Sequence, residues 1–258
     1  MRRPVRAPLA ALTASLLAAG VLATGCAGGG SRPRPGDGQT ARTPIVDPPP
    51  SSATLTDARL AFESARAAAL RSAAAFGPGA AALDAVDAAA VRGDLEVARR
   101  GVAASARPAT TAAAAKRTLP RQVEAYASAA RGLGRAARLP VLSPPQAMAL
   151  RDLAAAASME VAALQGLAAS QATGWSAYSD LQQAQALWLQ RATDGFYPDQ
   201  RTQAYSPAVA GKAYTVLVNP GRGALDRERI ALARDTAVVQ RAGAATAAGL
   251  GRAQTAFG

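Results

Sequence analysis

The chain contains no histidine and a single cysteine. Without histidine, Ser-His-Asp and Cys-His nucleophile systems are excluded. So are histidine-containing metal sites, including the Glu-x-x-His ligand pattern of di-iron bundles. With one thiol there is no intramolecular disulfide, so the fold must be held by packing alone. Aromatic residues are scarce at 4%, so most core positions fall to small side chains that each bury little area. Acidic residues number 17 against 29 basic ones, and Lys116 and Lys212 are the only lysines. No Gly-x-Ser-x-Gly, Ser-x-x-Lys or Walker motif occurs. Two carboxylate pairs, Asp84/Asp87 and Asp94/Glu96, stand beside arginines or alanines. They read as a solvated surface rather than a glycosidase pair. The expectation is a protein that is not an enzyme and uses no cofactor and no metal.

What is present begins at the N-terminus. Met1-Arg2-Arg3-Pro4-Val5-Arg6 is a short basic start, and the run from Ala7 to Leu22 carries no charge. That run is short for a permanent transmembrane helix and suits the apolar segment of an export signal. It ends in Val21-Leu22-Ala23-Thr24-Gly25-Cys26, which holds the chain's one cysteine. The arrangement resembles a bacterial lipoprotein signal with its lipobox, departing from it only in Ala23, where Leu or Val is commoner. The resemblance covers residues 1–26. It implies cleavage before Cys26, acylation of its thiol, and a protein lipid-anchored to the cell membrane on the extracytoplasmic face. The alternative reading is an ordinary secretory signal cut near Ala23-Thr24-Gly25. For the remainder of the chain no family is identified.

Residues 26–52 follow as the acylated cysteine and a tether. Gly28-Gly29-Gly30, Pro33, Pro35 and Pro48-Pro49-Pro50 cannot build a core. At random-coil scaling the segment spans roughly 25–30 Å, enough to hold a folded domain clear of the headgroups. Removing Arg2, Arg3 and Arg6 with the signal leaves 26 basic against 17 acidic residues, or +9. The positive charges are dispersed, almost all are arginine, and the chain holds 71 alanines. This reads as the coding bias of a GC-rich genome, with an actinobacterial source expected and selection for an anionic partner the alternative. Nucleic acid is not a partner for an exported, anchored protein. Expected partners are the membrane through the anchor, and another envelope protein or an anionic wall or lipid component.

The domain at 53–258 reads as all-α, an elongated antiparallel helical bundle of long Ala-rich helices. A capping box at Thr54-Leu55-Thr56-Asp57 predicts a helix start, with an apolar stripe Leu55, Ala58, Phe62, Ala65, Ala69, Ala73 and Phe76. Gly77-Pro78-Gly79 is expected to end that helix. A second is expected over 80–106, closed by Pro108. A third starts after Thr118 with Pro120 in its first turn and stops at Pro140. Ser143-Pro144-Pro145-Gln146 is a strong start for a helix of nearly fifty residues, expected to be continuous but bent. Residues 194–223, with Pro198, Pro207 and Pro220, are expected to be irregular. Within them Ala213 to Val218 has strand-like composition, but a lone strand has no partner and a short helix or an ordered loop is an equal alternative; Asn219-Pro220-Gly221 reads as a turn. A last helix carries a four-three seam through Leu225, Leu232, Thr236, Val239, Gly243, Thr246, Leu250, Ala253 and Phe257. Packing within the bundle is the favoured use of that seam, with a coiled-coil dimer the alternative.

Seven of the eleven aromatics fall within forty residues: Trp175, Tyr178, Trp188, Phe196, Tyr197, Tyr205 and Tyr214. Trp and Tyr suit mixed apolar and polar contacts, so these are the candidate binding residues. Packing of the 194–223 segment onto the helices is the competing account. The functional expectation is a non-catalytic binding or scaffold protein of the cell envelope. The alternative is a sensor or carrier for a small molecule or lipid. An open cavity at the aromatic region would favour the second, a closed core the first.

Overall fold

A computed structural model describes residues 50–258, apart from the side chains of 111, 112, 115 and 116. The signal, Cys26 and the tether up to residue 49 lie outside the described residues. Four helices follow in order: α1, Ser52–Arg92; α2, Leu95–Ala136; α3, Pro144–Thr193; and α4, Pro207–Phe257. Among the described residues there is no strand. The helices are antiparallel neighbours, with α1 against α2 and α4, and α3 against α2 and α4. At 1.5 Å per residue the 50 residues of α3 give a rod of roughly 75 Å.

One rhythm builds the core. In α3 the buried positions Leu150, Leu153, Ala157, Glu160, Leu164, Leu167 and Gln171 alternate steps of three and four. The same alternation continues through Gly174, Tyr178, Leu181, Gln185, Trp188 and Ala192. In α1 it runs from Leu55 through Phe62, Ala69, Phe76, Leu83 and Ala90. A strict seven-residue repeat keeps one face of each helix turned inward along its whole length. In α4 the expected seam is inside, with Leu225, Leu232, Val239, Gly243, Thr246, Leu250 and Ala253 buried.

The ends are cut as helix chemistry requires. The first cap is Ser51 rather than Thr54: Thr54 N–H donates to Ser51 Oγ at 3.3 Å, and Ser51 N–H to Thr54 Oγ1 at 3.2 Å. Gly93 (φ 73°) closes α1 in the left-handed region. Asp94 caps α2 by accepting from Val97 N–H at 3.0 Å. At the expected start of α3, Ser143 N–H donates to the Gln146 side chain at 3.1 Å.

Three expected breaks are absent. Gly77-Pro78-Gly79 does not end a helix, because α1 passes through Pro78. Pro108 and Pro120 lie inside α2 and Pro220 inside α4. An interior proline loses one backbone hydrogen bond and costs about 3 kcal/mol. Around Pro78 that cost is offset by burial of Phe76, Ala80 and Leu83 on the same face. Gly79 is not a terminator. A Cβ there would lie 2.9 Å from both Pro108 Cβ and Tyr178 Cε2, so glycine allows α1, α2 and α3 to close together.

The irregular region is shorter than expected, 194–206 rather than 194–223. Residues 213–218 are helical, not strand-like. Tyr214 and Val218, four apart, are buried, whereas Val216 is 80% exposed. One buried face of helical period thus overrides the β-rich composition. The remaining loop is ordered by Asp199, whose carboxylate accepts from Arg201 N–H at 2.8 Å and Thr202 N–H at 3.0 Å. Those backbone donors hold its pKa below the usual carboxylate value.

Candidate functional site

The structure divides the seven candidate aromatics. Trp175, Tyr178 and Trp188 share α3. Trp175 and Tyr178 meet edge to face with ring centroids 5.1 Å apart. Phe76 of α1 joins them, 5.1 Å from Trp175 and 6.1 Å from Tyr178. Trp188 lies ten residues beyond Tyr178, about 15 Å along the helix. It packs edge-on against Tyr214 at 4.9 Å and donates its indole N–H to Ala210 O at 2.9 Å. Tyr214 belongs to α4, not to a loop. Tyr197 and Tyr205 are half-buried in the connecting segment, and Phe196 is 68% exposed. Four of the seven therefore fall into two groups along the bundle, Trp175 with Tyr178 and Trp188 with Tyr214, and the other three lie in the connecting segment.

The Trp188 group is closed. Tyr214 OH contacts Asp87 and takes a hydrogen bond from Gln185 Nε2 at 2.9 Å. Gln185 Nε2 also lies 2.8 Å from Asp87 Oδ1. Arg222 of α4 pairs with Asp87 and Asp84, and Arg229 with Asp84 at 2.8 Å. Asp84 and Asp87 are thus tied between α1 and α4 rather than lying on a freely solvated surface. Burial pushes the Tyr214 hydroxyl up to about 12, against the opposing hydrogen bond from Gln185.

The Trp175 group is open. Between α2 and α3 lies a cleft of about 610 Å³ with Trp175 and Tyr178 in its wall. Between Ser105 and Leu119 of α2, both buried, no described side chain is buried; Pro108 lies within this stretch and Pro120 just after it. Ala109 and Ala113 line the cleft on the α2 side, with side chains too small to fill it. Leu119 and Pro120 close one side, and Ala168 and Ala172 of α3 the other.

Two polar residues reach this cleft from the core, Ser72 at 3% exposure and Gln171 at 5%. Gln171 Nε2 donates to Ala69 O at 2.8 Å. Tyr178 OH is spent on Ser105 O at 2.6 Å, and burial raises its pKa. The Trp175 indole nitrogen is fully covered and has no hydrogen-bond partner. Among the described lining residues none is charged. The cleft has an apolar wall and a small uncharged polar floor, the usual make-up of a small-molecule site. A second, more open groove of about 740 Å³ lies between α1 and α4, with Phe76, Leu232, Asp84 and Arg229 on its walls.

A third feature ties the four helices together. Glu160 of α3, fully buried, takes Arg66 Nε at 2.5 Å and Arg66 Nη2 at 2.9 Å from α1. Tyr126 OH of α2 donates to Glu160 Oε2 at 2.5 Å and lies 3.4 Å from Thr246 Oγ1 of α4. Gly243 leaves room for the guanidinium; a Cβ there would lie 2.7 Å from Arg66 Cζ. The Glu160 carboxylate holds the Arg66 pKa up, and burial first, then Glu160, pushes Tyr126 far above the ordinary phenol range. Every carboxylate oxygen is bonded, so this is a lock between helices rather than a reactive acid.

Sequence reading passed over Ser72, Gln171 and Glu160, and placed Phe76 only in the apolar stripe of α1. The signal was there: each stands in the three-four seam, where a polar residue signals a buried partner. No group of three or more metal-binding side chains occurs among the described residues. By length and composition α1 and α3 could each cross a bilayer. The fold and cleft define a class, an antiparallel four-helix bundle with a lateral apolar cleft. Comparison with protein-family models, curated proteins and solved structures returned no match.

Proposed function

We propose that this chain is a lipid-anchored binding protein on the extracytoplasmic face of the membrane, non-catalytic, with a small, largely apolar ligand held between α2 and α3. One observation carries this reading: a cleft of about 610 Å³ opens beside Trp175 and Tyr178, where a closed core would leave no room. The export signal and tether support the location. The absence of histidine from the sequence leaves binding as the simpler role.

Tryptophan fluorescence tests it. The uncharged probe N-phenyl-1-naphthylamine should quench Trp175 in a Trp188→Phe variant. It should leave Trp188 unchanged in a Trp175→Phe variant, because Trp188 is buried about 20 Å further along α3. Equal response of both tryptophans, or of neither, removes the cleft as the site. An envelope protein partner is the second reading, favoured by Phe196, which is 68% exposed in the 194–206 segment. Phe196→Ser should then abolish capture of that partner while leaving the melting temperature unchanged.

A further inference from the structure

The floor of the cleft specifies one part of its ligand. Gln171 and Ser72 are both more than nine-tenths buried, and both reach the cleft. Ala69 O can only accept, so the Gln171 amide must turn its Nε2 toward that carbonyl, at 2.8 Å. Its Oε1 is then an acceptor with no partner among the described residues. Ser72 Oγ likewise has no partner among the described residues and can donate or accept. The other buried polar groups beside the cleft are spent or covered. Tyr178 OH is bonded to Ser105 O, and the Trp175 nitrogen is shielded.

Resting on the reading of this cleft as a ligand site, we infer that its ligand carries a neutral hydrogen-bond donor on an apolar body. The group is a hydroxyl or an amide that donates to Gln171 Oε1 and accepts from Ser72 Oγ–H. A carboxylate would set an anion against the Gln171 oxygen, and a hydrocarbon would leave both core groups unpaired. A buried polar group without a partner is costly, so a site built around such groups discriminates against the analogue that lacks the matching atom. The apolar body lies against Leu119, Ala168, Ala172, Trp175 and Tyr178.

A matched series on the full mature chain tests this: 2-naphthylmethanol, its isostere 2-ethylnaphthalene, and 2-naphthoate, each titrated by calorimetry. The alcohol should bind about tenfold tighter than the hydrocarbon, as one or two neutral hydrogen bonds allow, and the carboxylate weakest. In Ser72→Ala, whose melting temperature is checked first, the alcohol should lose several-fold and the hydrocarbon nothing. Equal affinity of alcohol and hydrocarbon overturns the inference while leaving the cleft a ligand site. Tightest binding by 2-naphthoate overturns it in favour of an anion. No binding by any of the three, or by N-phenyl-1-naphthylamine, overturns the cleft reading itself.

Discussion

Glu160 shows how one residue can tie a bundle together. It sits at a seam position of α3 where its neighbours in register are leucines, and it is fully buried. Its carboxylate is neutralised by Arg66 and bonded by Tyr126. Breaking such a pair leaves an uncompensated charge in the core, whereas replacing both members is often neutral. Arg66→Met should therefore lower stability by about 3–5 kcal/mol, and the double variant with Glu160→Met should recover most of it. Chemical denaturation of the two variants measures this. Similar losses in both would show that the pair contributes nothing beyond packing.

Tyr214 gives a pH signature at the same scale. Its hydroxyl is pushed up to about 12 by burial, above its ordinary value near 10. In the unfolded chain the phenol ionises first, so the fold binds more protons between those values and its stability falls as pH rises. The contribution is fully present below about pH 10 and is lost on the way to about 12. Tyr214→Phe should flatten the decline of melting temperature over that window, on top of a pH-independent loss of about 1–3 kcal/mol from the partners left at Gln185 and Asp87. An unchanged alkaline slope would place the titration elsewhere, Tyr126 being the next phenol to test, since its pKa is also raised.

At the scale of elements, the glycines near Pro78 separate two roles. A Cβ on Gly77 meets nothing within 4 Å, whereas one on Gly79 meets Pro108 and Tyr178 at 2.9 Å. Gly77→Ala should stabilise α1 by about 0.5–1 kcal/mol through helix propensity. Gly79→Ala should destabilise by about 1–3 kcal/mol through overpacking. Thermal unfolding of the pair checks both signs, and equal shifts would mean that α1 and α2 are not in close contact at that level. The α4 seam has its own test. Leu232→Asp buries a charge at a position 5% exposed and should cost several kcal/mol. Ala233→Asp, on the exposed face, should be mild.

Across the whole molecule, the cleft and the four-helix lock occupy different levels of the same rods. The four-helix lock lies at Arg66, Tyr126, Glu160 and Thr246. The cleft lies further along, where α2 carries no buried described side chain between Ser105 and Leu119. This spacing lets a cleft open without undoing the bundle. Cys26→Ser should release the protein from the membrane fraction with its melting temperature unchanged. Retention after detergent-free washing would reveal a second attachment.

Periodicity by itself determined much of this protein. All-helical character, the helix starting at Ser143 and the inward face of α4 follow from residue spacing, because burial of one face imposes a repeat that the sequence must keep. The three-four register in fact runs unbroken through Gly77-Pro78-Gly79. It is therefore a better guide than local propensity, which predicts a break there. Only the tertiary structure decided what the prolines and glycines do, since a proline's lost hydrogen bond is weighed against burial that spans several helices. Tertiary structure also decided that Tyr214 and Val218 are helical and that four of the candidate aromatics form two groups. The cleft, too, depended on it. Cavities arise where facing helices fail to fill the space between them, and no single segment records what its neighbour leaves empty.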